Sequence, residues 1–163
     1  MSRLYFFHGL ESGPHGQKYH LLKNEFPELE SPDFQGMDLA QRLAKAEELT
    51  RDQRGLVLVG SSFGGLLAAR LYCLYPERIK ALVLLAPAVH TEEGDRVTEL
   101  PSQQRVRVIH GMADEVVPYT KVVAFCKRFG VPLITVDDEH RLASETAQQT
   151  ILSAVQEVYN ARF

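Results

Sequence analysis

The chain has 163 residues, of which 45% are hydrophobic and 24% are charged, and its formal net charge at pH 7 is -3. These are the proportions of an ordinary globular protein, so they exclude a disordered or collagen-like chain, and the length predicts a single domain over residues 1–163. The charges do not form a long run of one sign, which argues against a nucleic-acid partner.

The N-terminal sequence MSRLYFFHG contains one basic residue and an apolar run that is too short for a signal peptide or a membrane span. We therefore expect a cytoplasmic protein without a membrane span. The two cysteines, Cys73 and Cys126, form neither a CxxC motif nor a Cys/His cluster. This pattern predicts two buried thiols and no metal site.

Five short apolar runs predict buried strands, at residues 3–8, 55–60, 81–87, 105–111 and 132–136. A short sixth strand is predicted in ELESPDF, which begins at residue 28. Helical spacing occurs at residues 37–52, 63–76, 119–130 and 144–163. Strands that alternate with helices predict a mainly parallel sheet of about six strands with helices on both faces.

The sequence GSSFG follows the second apolar run, at the carboxyl end of a strand, where ligand sites of such sheets lie. It matches the pattern G-x-S-x-G only when Ser62 is the central residue. The two glycines leave room for a sharp strand-to-helix turn that exposes a serine nucleophile. The same turn directs the Phe63 N–H, at a helix start, toward developing negative charge. Ser62 is thus the candidate nucleophile, and a simple small-residue turn is the alternative.

A serine nucleophile needs a base, and the base needs an acid that orients it. Asp114 follows the fourth apolar run and His140 follows the fifth. Asp137 and Asp138 are alternative acids, but neighbours of His140 on a short turn seldom face the same ring nitrogen. Glu115 is a further alternative, in the same loop as Asp114.

The first apolar run ends in His8-Gly9. A glycine there allows the backbone to turn, so that the Leu10 N–H can join the Phe63 N–H as a second donor to an oxyanion. We expect His8, and likewise His110 before its own glycine, to pack or to bond to nearby backbone.

The segments FFHGLESGP, GSSFGG, YPERIKALVLLAPA, VIHGMADEVVP and DDEHRL together resemble the α/β-hydrolase superfamily, and within it the small cap-less bacterial esterases of the YqiA-like type. The order Ser62, Asp114, His140 is the order of that superfamily. The resemblance implies an α/β-hydrolase fold without a cap domain. It also implies hydrolysis of a small-molecule acyl ester or thioester, without a metal or cofactor. Ser62 would be the nucleophile, His140 the base and Asp114 the orienting acid, with the Leu10 and Phe63 N–H groups as oxyanion donors.

Two other functional classes remain as alternatives. A hydrolase-fold binding or scaffold protein without turnover is disfavoured by the complete set of Ser62, Asp114 and His140. A flavodoxin-like phosphate binder is disfavoured because SGPHGQK lacks the spacing of a phosphate loop.

The segment 90–104, HTEEGDRVTELPSQQ, leaves the carboxyl end of a strand and is too short for a cap domain. We expect it to border a shallow, open pocket as the only lid. Its apolar residues offer little surface for a long acyl chain, and its excess of acidic residues would repel a polyanionic leaving group. The segment therefore predicts a preference for short, uncharged acyl esters.

Overall fold

The computed structural model describes residues 3–163. Within that range, one sheet of five parallel strands has the order β1-β2-β3-β4-β5. The strands are β1 (Arg3–Phe7), β2 (Leu56–Ser61), β3 (Ile79–Leu85), β4 (Val106–Gly111) and β5 (Leu133–Val136). The α-helices of the described range are α1 (Gln17–Glu25), α2 (Leu39–Thr50), α3 (Phe63–Leu74), α4 (Glu92–Asp95), α5 (Tyr119–Phe129) and α6 (Glu145–Asn160).

The expected sixth strand is reduced to one isolated bridge. Glu30 pairs in parallel with Tyr5, because the Glu30 N–H donates to the Leu4 carbonyl at 3.0 Å and the Phe6 N–H donates to the Glu30 carbonyl at 2.9 Å. Pro32 follows shortly after and has no N–H, so it cannot continue the ladder. The sheet therefore has five strands and a bridge rather than about six strands.

The bridge marks the point where the chain reverses its winding direction. Glu30 lies along one edge of β1, and β2 pairs with β1 along the other edge. Such a reversal opens a crevice at the carboxyl ends of the flanking strands, which is where α/β proteins bind ligands. In this chain the crevice lies above the ends of β1 and β2.

Two apolar layers hold the helices against the sheet, one on each face. On one face, Leu58 and Leu84 pack with residues of α2, α3 and α5. On the other face, Val59 and Val83 pack with residues of α1 and α6. The central strands β2 and β3 are buried on both faces, which is why their sequences are continuously apolar rather than alternating. The expected α/β architecture with helices on both faces is confirmed.

The two cysteines differ in their surroundings. Cys126 lies on the buried face of α5, and this burial raises the pKa of its thiol to about 12. Cys73 is only partly buried, and its Sγ lies 3.3 Å from the Glu99 carbonyl. The prediction of a buried thiol is therefore correct for Cys126 and wrong for Cys73, because α3 turns its last residues toward segment 90–104.

Candidate active site

Ser62 lies on the sharp turn between β2 and α3, with φ 55° and ψ -115°. A non-glycine residue at positive φ is strained, at a cost of about 1–3 kcal/mol, and persists only where its surroundings hold it. Here the Ser62 N–H donates to the Leu85 carbonyl at 2.8 Å, and the Ser62 carbonyl accepts from the Ala88 N–H at 3.0 Å. The end of β3 and the segment after it therefore fix the turn.

Two glycines are required by the close approach of backbone around this turn. A Cβ at Gly60 would overlap the Gly64 carbonyl, and a Cβ at Gly64 would overlap the Phe7 carbonyl. Both neighbours are backbone atoms of regular elements, so neither can move aside. The spacing of glycines that the sequence shows around Ser62 thus has a steric origin in the packing of α3 against the end of β1.

We predict that Gly64→Ala severely destabilises the protein, by about 3 kcal/mol or more, since the added methyl group meets a fixed carbonyl. Gly16→Ala is the matched control, because a Cβ at Gly16 meets nothing within 4 Å and its φ is -82°. Urea unfolding gives the midpoint of each variant, and the Gly64→Ala midpoint should lie well below the Gly16→Ala midpoint. Equal midpoints for the two variants would contradict the argument.

A continuous chain of hydrogen bonds connects Ser62, His140 and Asp114. The distance from Ser62 Oγ to His140 Nε2 is 3.0 Å, and the distance from His140 Nδ1 to Asp114 Oδ2 is 2.7 Å. The Asp114 side chain is fully buried, whereas the His140 side chain is 22% exposed. With Nδ1–H donating to the carboxylate, Nε2 is left as an acceptor that faces the serine hydroxyl. The imidazole can therefore take the hydroxyl proton.

The backbone of its own loop holds the Asp114 carboxylate. Asp114 Oδ1 accepts hydrogen bonds from the N–H groups of Val116 and Val117, both at 2.8 Å. This leaves Oδ2 free to accept from His140. The loop is also joined to the one after β5, because the Ala113 N–H donates to the Asp138 carbonyl at 3.1 Å. The loops that carry the acid and the histidine are thus one connected unit.

The alternative acids point elsewhere. Asp138 accepts hydrogen bonds from the N–H groups of Glu139 at 2.7 Å and Ser144 at 2.9 Å, so its carboxylate supports the loop that carries His140 rather than the imidazole. Asp137 and Glu115 are exposed.

The two residues expected to supply the N–H donors line the same cleft as Ser62. Leu10 follows β1 and Phe63 is the first residue of α3, and both line a cleft of about 650 Å³ together with Ser62 and His140. The first N–H groups of a helix have no intrahelical acceptor and carry partial positive charge. The structure thus brings Leu10, Ser62, Phe63 and His140 to one cleft, with Asp114 behind His140.

Segment 90–104 forms one wall of the cleft but is fixed to the body of the protein. Val97 is fully buried in the core, and α4 is a single turn. Glu93, which lines the cleft, bonds to Arg70 of α3 at 2.9 Å. The only residues of the segment that line the cleft are polar: His90, Thr91 and Glu93.

His8 and His110 bond to backbone, as expected. His8 lies 2.8 Å from the Gly9 carbonyl through Nδ1, and His110 lies 2.8 Å from the Val117 carbonyl through Nε2. Arg42 was not anticipated from the sequence: this arginine of α2 is fully buried beside the His8-Gly9 turn. His110 was not anticipated as a neighbour of the acid, yet its Nε2 lies 3.4 Å from Asp114 Oδ2.

Burial lowers the pKa of both His8 and His110 below that of an ordinary histidine. As the pH falls below about 6.5, the unfolded chain therefore binds protons before the folded chain does, and the free energy of unfolding decreases. We predict that the melting temperature drops between about pH 7 and pH 5.5. His8→Asn should reduce this slope relative to the wild-type protein. A slope equal to that of the wild-type protein would contradict the prediction.

None of the helices among residues 3–163 combines the length and the hydropathy that a membrane span needs. Over the same residues, no three His, Cys, Asp or Glu side chains are grouped in a way that could hold a metal ion.

Comparison with solved structures shows the same fold in other proteins. A protein from Xanthomonas campestris pv. campestris, assigned to the alpha/beta hydrolase superfamily, matches with a TM-score of 0.76 and 26% identity over 94% of this chain and 98% of that one. Est1E from Butyrivibrio proteoclasticus matches with a TM-score of 0.77 and 19% identity over 97% of this chain and 88% of that one. At 19% identity, the similarity to Est1E concerns the fold alone.

Among characterised sequences, the lipase LipV of Mycobacterium tuberculosis (strain ATCC 25618 / H37Rv) is 34% identical over 112 residues. The match covers 61% of this chain and 42% of the lipase, so the chain spans less than half the length of that relative. A family model described as the alpha/beta hydrolase fold matches residues 6–161. Because that match includes the carboxyl end of every strand described above, and the sheet has the corresponding architecture, the chain belongs to the alpha/beta hydrolase family.

Proposed function

We propose that the protein is a cytoplasmic serine hydrolase that cleaves carboxylic esters or thioesters through an acyl-enzyme on Ser62. The observation that carries the proposal is the hydrogen-bond chain from the Ser62 hydroxyl through His140 to the buried Asp114 carboxylate. The strained turn under Ser62 supports the same role, because strain of this kind is concentrated at functional sites. The similarity to a protein named as a lipase supports an ester substrate.

In the first half-reaction, Ser62 Oγ attacks the carbonyl carbon of the substrate while His140 Nε2 accepts the hydroxyl proton. The carbonyl oxygen becomes an oxyanion, which the N–H groups of Leu10 and Phe63 stabilise. The C–O or C–S bond then breaks, and the alcohol or thiol leaves with the proton from His140. The acyl group remains on Ser62.

In the second half-reaction, water takes the place of the leaving group. His140 removes a proton from the water as its oxygen attacks the acyl carbon, and returns a proton to Ser62 Oγ as the acid is released. Asp114 holds the imidazole in one tautomer and stabilises its cation in both steps. The mechanism needs no metal or cofactor.

The experiment that tests this proposal is a turnover screen of the purified protein across p-nitrophenyl esters and acyl thioesters, with Ser62→Ala as the control. We expect turnover of at least one class that disappears in the variant. A folded wild-type protein without turnover on either class would favour the alternative of a silent binding or scaffold protein.

For the substrate class, we predict a preference for short, uncharged acyl groups. An added methylene gains roughly 0.8 kcal/mol only if it becomes buried. The cleft wall supplied by segment 90–104 is polar, and Val97 of that segment is directed into the core, so the apolar lining comes from other segments, including Leu10 and Val116, which are themselves more than half exposed. Specificity constants from acetyl to palmitoyl esters should therefore not rise toward the long chains. A steady rise to palmitoyl, or a preference for acyl-coenzyme A over the matching simple ester, would contradict this prediction.

A further inference from the structure

Arg42 is a buried cation whose hydrogen bonds go to backbone carbonyls rather than to a carboxylate. Its side chain leaves α2 and is fully buried. Nη1 donates to the His8 carbonyl at 2.7 Å, Nη2 donates to the Gly9 carbonyl at 3.1 Å, and Nε donates to the Met37 carbonyl at 3.4 Å. A buried charge is expensive unless it is well satisfied. Two of these three bonds hold the turn that follows β1.

The Gly9 carbonyl belongs to the same peptide unit as the Leu10 N–H. The peptide bonds of the described chain are trans, so the C=O and the N–H of this unit point in opposite directions. Fixing the Gly9 oxygen on one side therefore fixes the direction of the Leu10 N–H on the other side. Leu10 lines the cleft together with Ser62.

His8 provides a second donor to the same oxygen. The Phe34 N–H donates to His8 Nε2 at 2.8 Å, so Nε2 carries a lone pair and the ring proton is on Nδ1. Nδ1 lies 2.8 Å from the Gly9 carbonyl and donates to it. The Gly9 oxygen thus accepts from a neutral imidazole and from a guanidinium, and this double contact polarises the peptide and strengthens its N–H as a donor.

Arg42 also contacts the residue that carries the other expected donor. Its guanidinium carbon lies 4.9 Å from the centre of the Phe63 ring, within the range of a cation–π contact. Phe63 begins α3, directly after Ser62. A single buried side chain therefore connects both of the segments whose N–H groups would face an oxyanion.

We propose that Arg42 is a positioning residue of the oxyanion site, which holds the Gly9–Leu10 peptide so that the Leu10 N–H faces the oxyanion. This inference rests on the proposed function. Arg42 does not touch the substrate: it acts through the Leu10 N–H. Its charge also lies behind the peptide, in a buried environment, where it favours negative charge developing in the cleft.

Arg42→Lys tests the proposal, because one ammonium cannot reproduce the fork that reaches the two carbonyls. Removal of a whole oxyanion donor lowers kcat by about a hundred- to a thousandfold, so a misdirected donor should lower it by about ten- to a hundredfold, with KM little changed. The inhibition constant of a trifluoromethyl ketone, whose serine adduct carries an oxyanion, should rise by the same factor. Active sites are counted with a fluorophosphonate, so that kcat refers to folded enzyme.

Arg78→Lys is the matched control for the loss of a buried arginine. Arg78 is also buried, and it donates to the Glu47 carbonyl at 3.1 Å and lies over the Tyr75 ring at 3.8 Å, outside the set of residues that line the cleft. We expect Arg78→Lys to lower the melting temperature while kcat and the inhibition constant keep their wild-type values. Equal losses of kcat in the two variants would assign Arg42 a merely structural role.

A double substitution makes the test specific to Leu10. Replacing Leu10 by its α-hydroxy acid converts the amide to an ester and deletes the N–H, at a residue that is 56% exposed. In that background, Arg42→Lys should cause little further loss of kcat. Full additivity of the two losses, or a kcat of Arg42→Lys equal to the wild-type value, would overturn the inference. A wild-type protein that neither turns over esters nor reacts with the fluorophosphonate would instead overturn the proposed function.

Discussion

Ser62→Ala is expected to lower kcat by about a millionfold, the scale seen when the nucleophile is removed from a serine triad. The residual rate would come from the oxyanion donors and from substrate binding, which do not need the hydroxyl. The variant should fold, because Ser62 holds its turn through its N–H and carbonyl rather than through its side chain. Its kcat is measured on a preferred p-nitrophenyl ester, with the melting temperature as the check on folding.

Ser61→Ala is the control for the Ser62 variant. Ser61 is the last residue of β2 and also lines the cleft, but the hydroxyl bonded to His140 is that of Ser62. Loss of the Ser61 hydroxyl should therefore have a far smaller effect on kcat. Near-wild-type turnover in a folded Ser62→Ala protein would remove Ser62 from the mechanism.

Asp114→Asn is expected to lower kcat on the order of ten-thousandfold, as in other triads in which the amide imposes the wrong tautomer on the histidine. An asparagine amide placed toward His140 Nδ1 donates a hydrogen bond, which moves the ring proton to Nε2 and leaves no acceptor for the Ser62 hydroxyl. The amide oxygen can still accept from the N–H groups of Val116 and Val117, so the loop keeps its shape. Steady-state kinetics with active-site titration gives the ratio of the wild-type kcat to the Asp114→Asn kcat.

Asp138→Asn is the matched control, since Asp138 accepts from Glu139 and Ser144 in the adjacent loop and not from the imidazole. Asp138→Asn should lower the melting temperature, whereas its kcat should stay far closer to the wild-type value than that of Asp114→Asn. A greater loss of kcat from Asp138→Asn than from Asp114→Asn would reverse the assignment of the orienting acid.

The main strands were predictable because β2 and β3 are buried on both faces and their sequences show it directly. The position of Ser62 on a sharp strand-to-helix turn was predictable because the close backbone approach around that turn requires Gly60 and Gly64. The approach of Asp114 to His140 could be expected from their positions after neighbouring strands, whose carboxyl ends lie at one edge of a parallel sheet.

Arg42 could not be predicted by the usual rules, because arginine is rarely buried and is normally assigned to the solvent face of a helix. One signal was present: Arg42 is four residues before Ala46 and eight before Thr50, and these three form the buried face of α2. That spacing indicates an arginine directed inward. Two of its three acceptors, the His8 and Gly9 carbonyls, belong to the turn after β1, which is distant in sequence, so its role depends on tertiary packing.

The bridge at Glu30 and segment 90–104 are two other places where the sequence pattern did not predict the structure. ELESPDF has the length of a strand, but its proline stops the ladder after one pair. In segment 90–104, the sequence identified Val97 as apolar without indicating its direction. Its complete burial depends on the packing of the segment over the core.

The most direct test of the account is to map where a fluorophosphonate reacts with the folded protein. The reagent needs an activated serine, so the account predicts one phosphonylated peptide with the mass increment on Ser62. Labelling should be absent in Ser62→Ala and much slower in His140→Ala. A folded wild-type protein that stays unlabelled, or a label on Ser61 or any other residue, would contradict the claim that Ser62, His140 and Asp114 form a working catalytic triad.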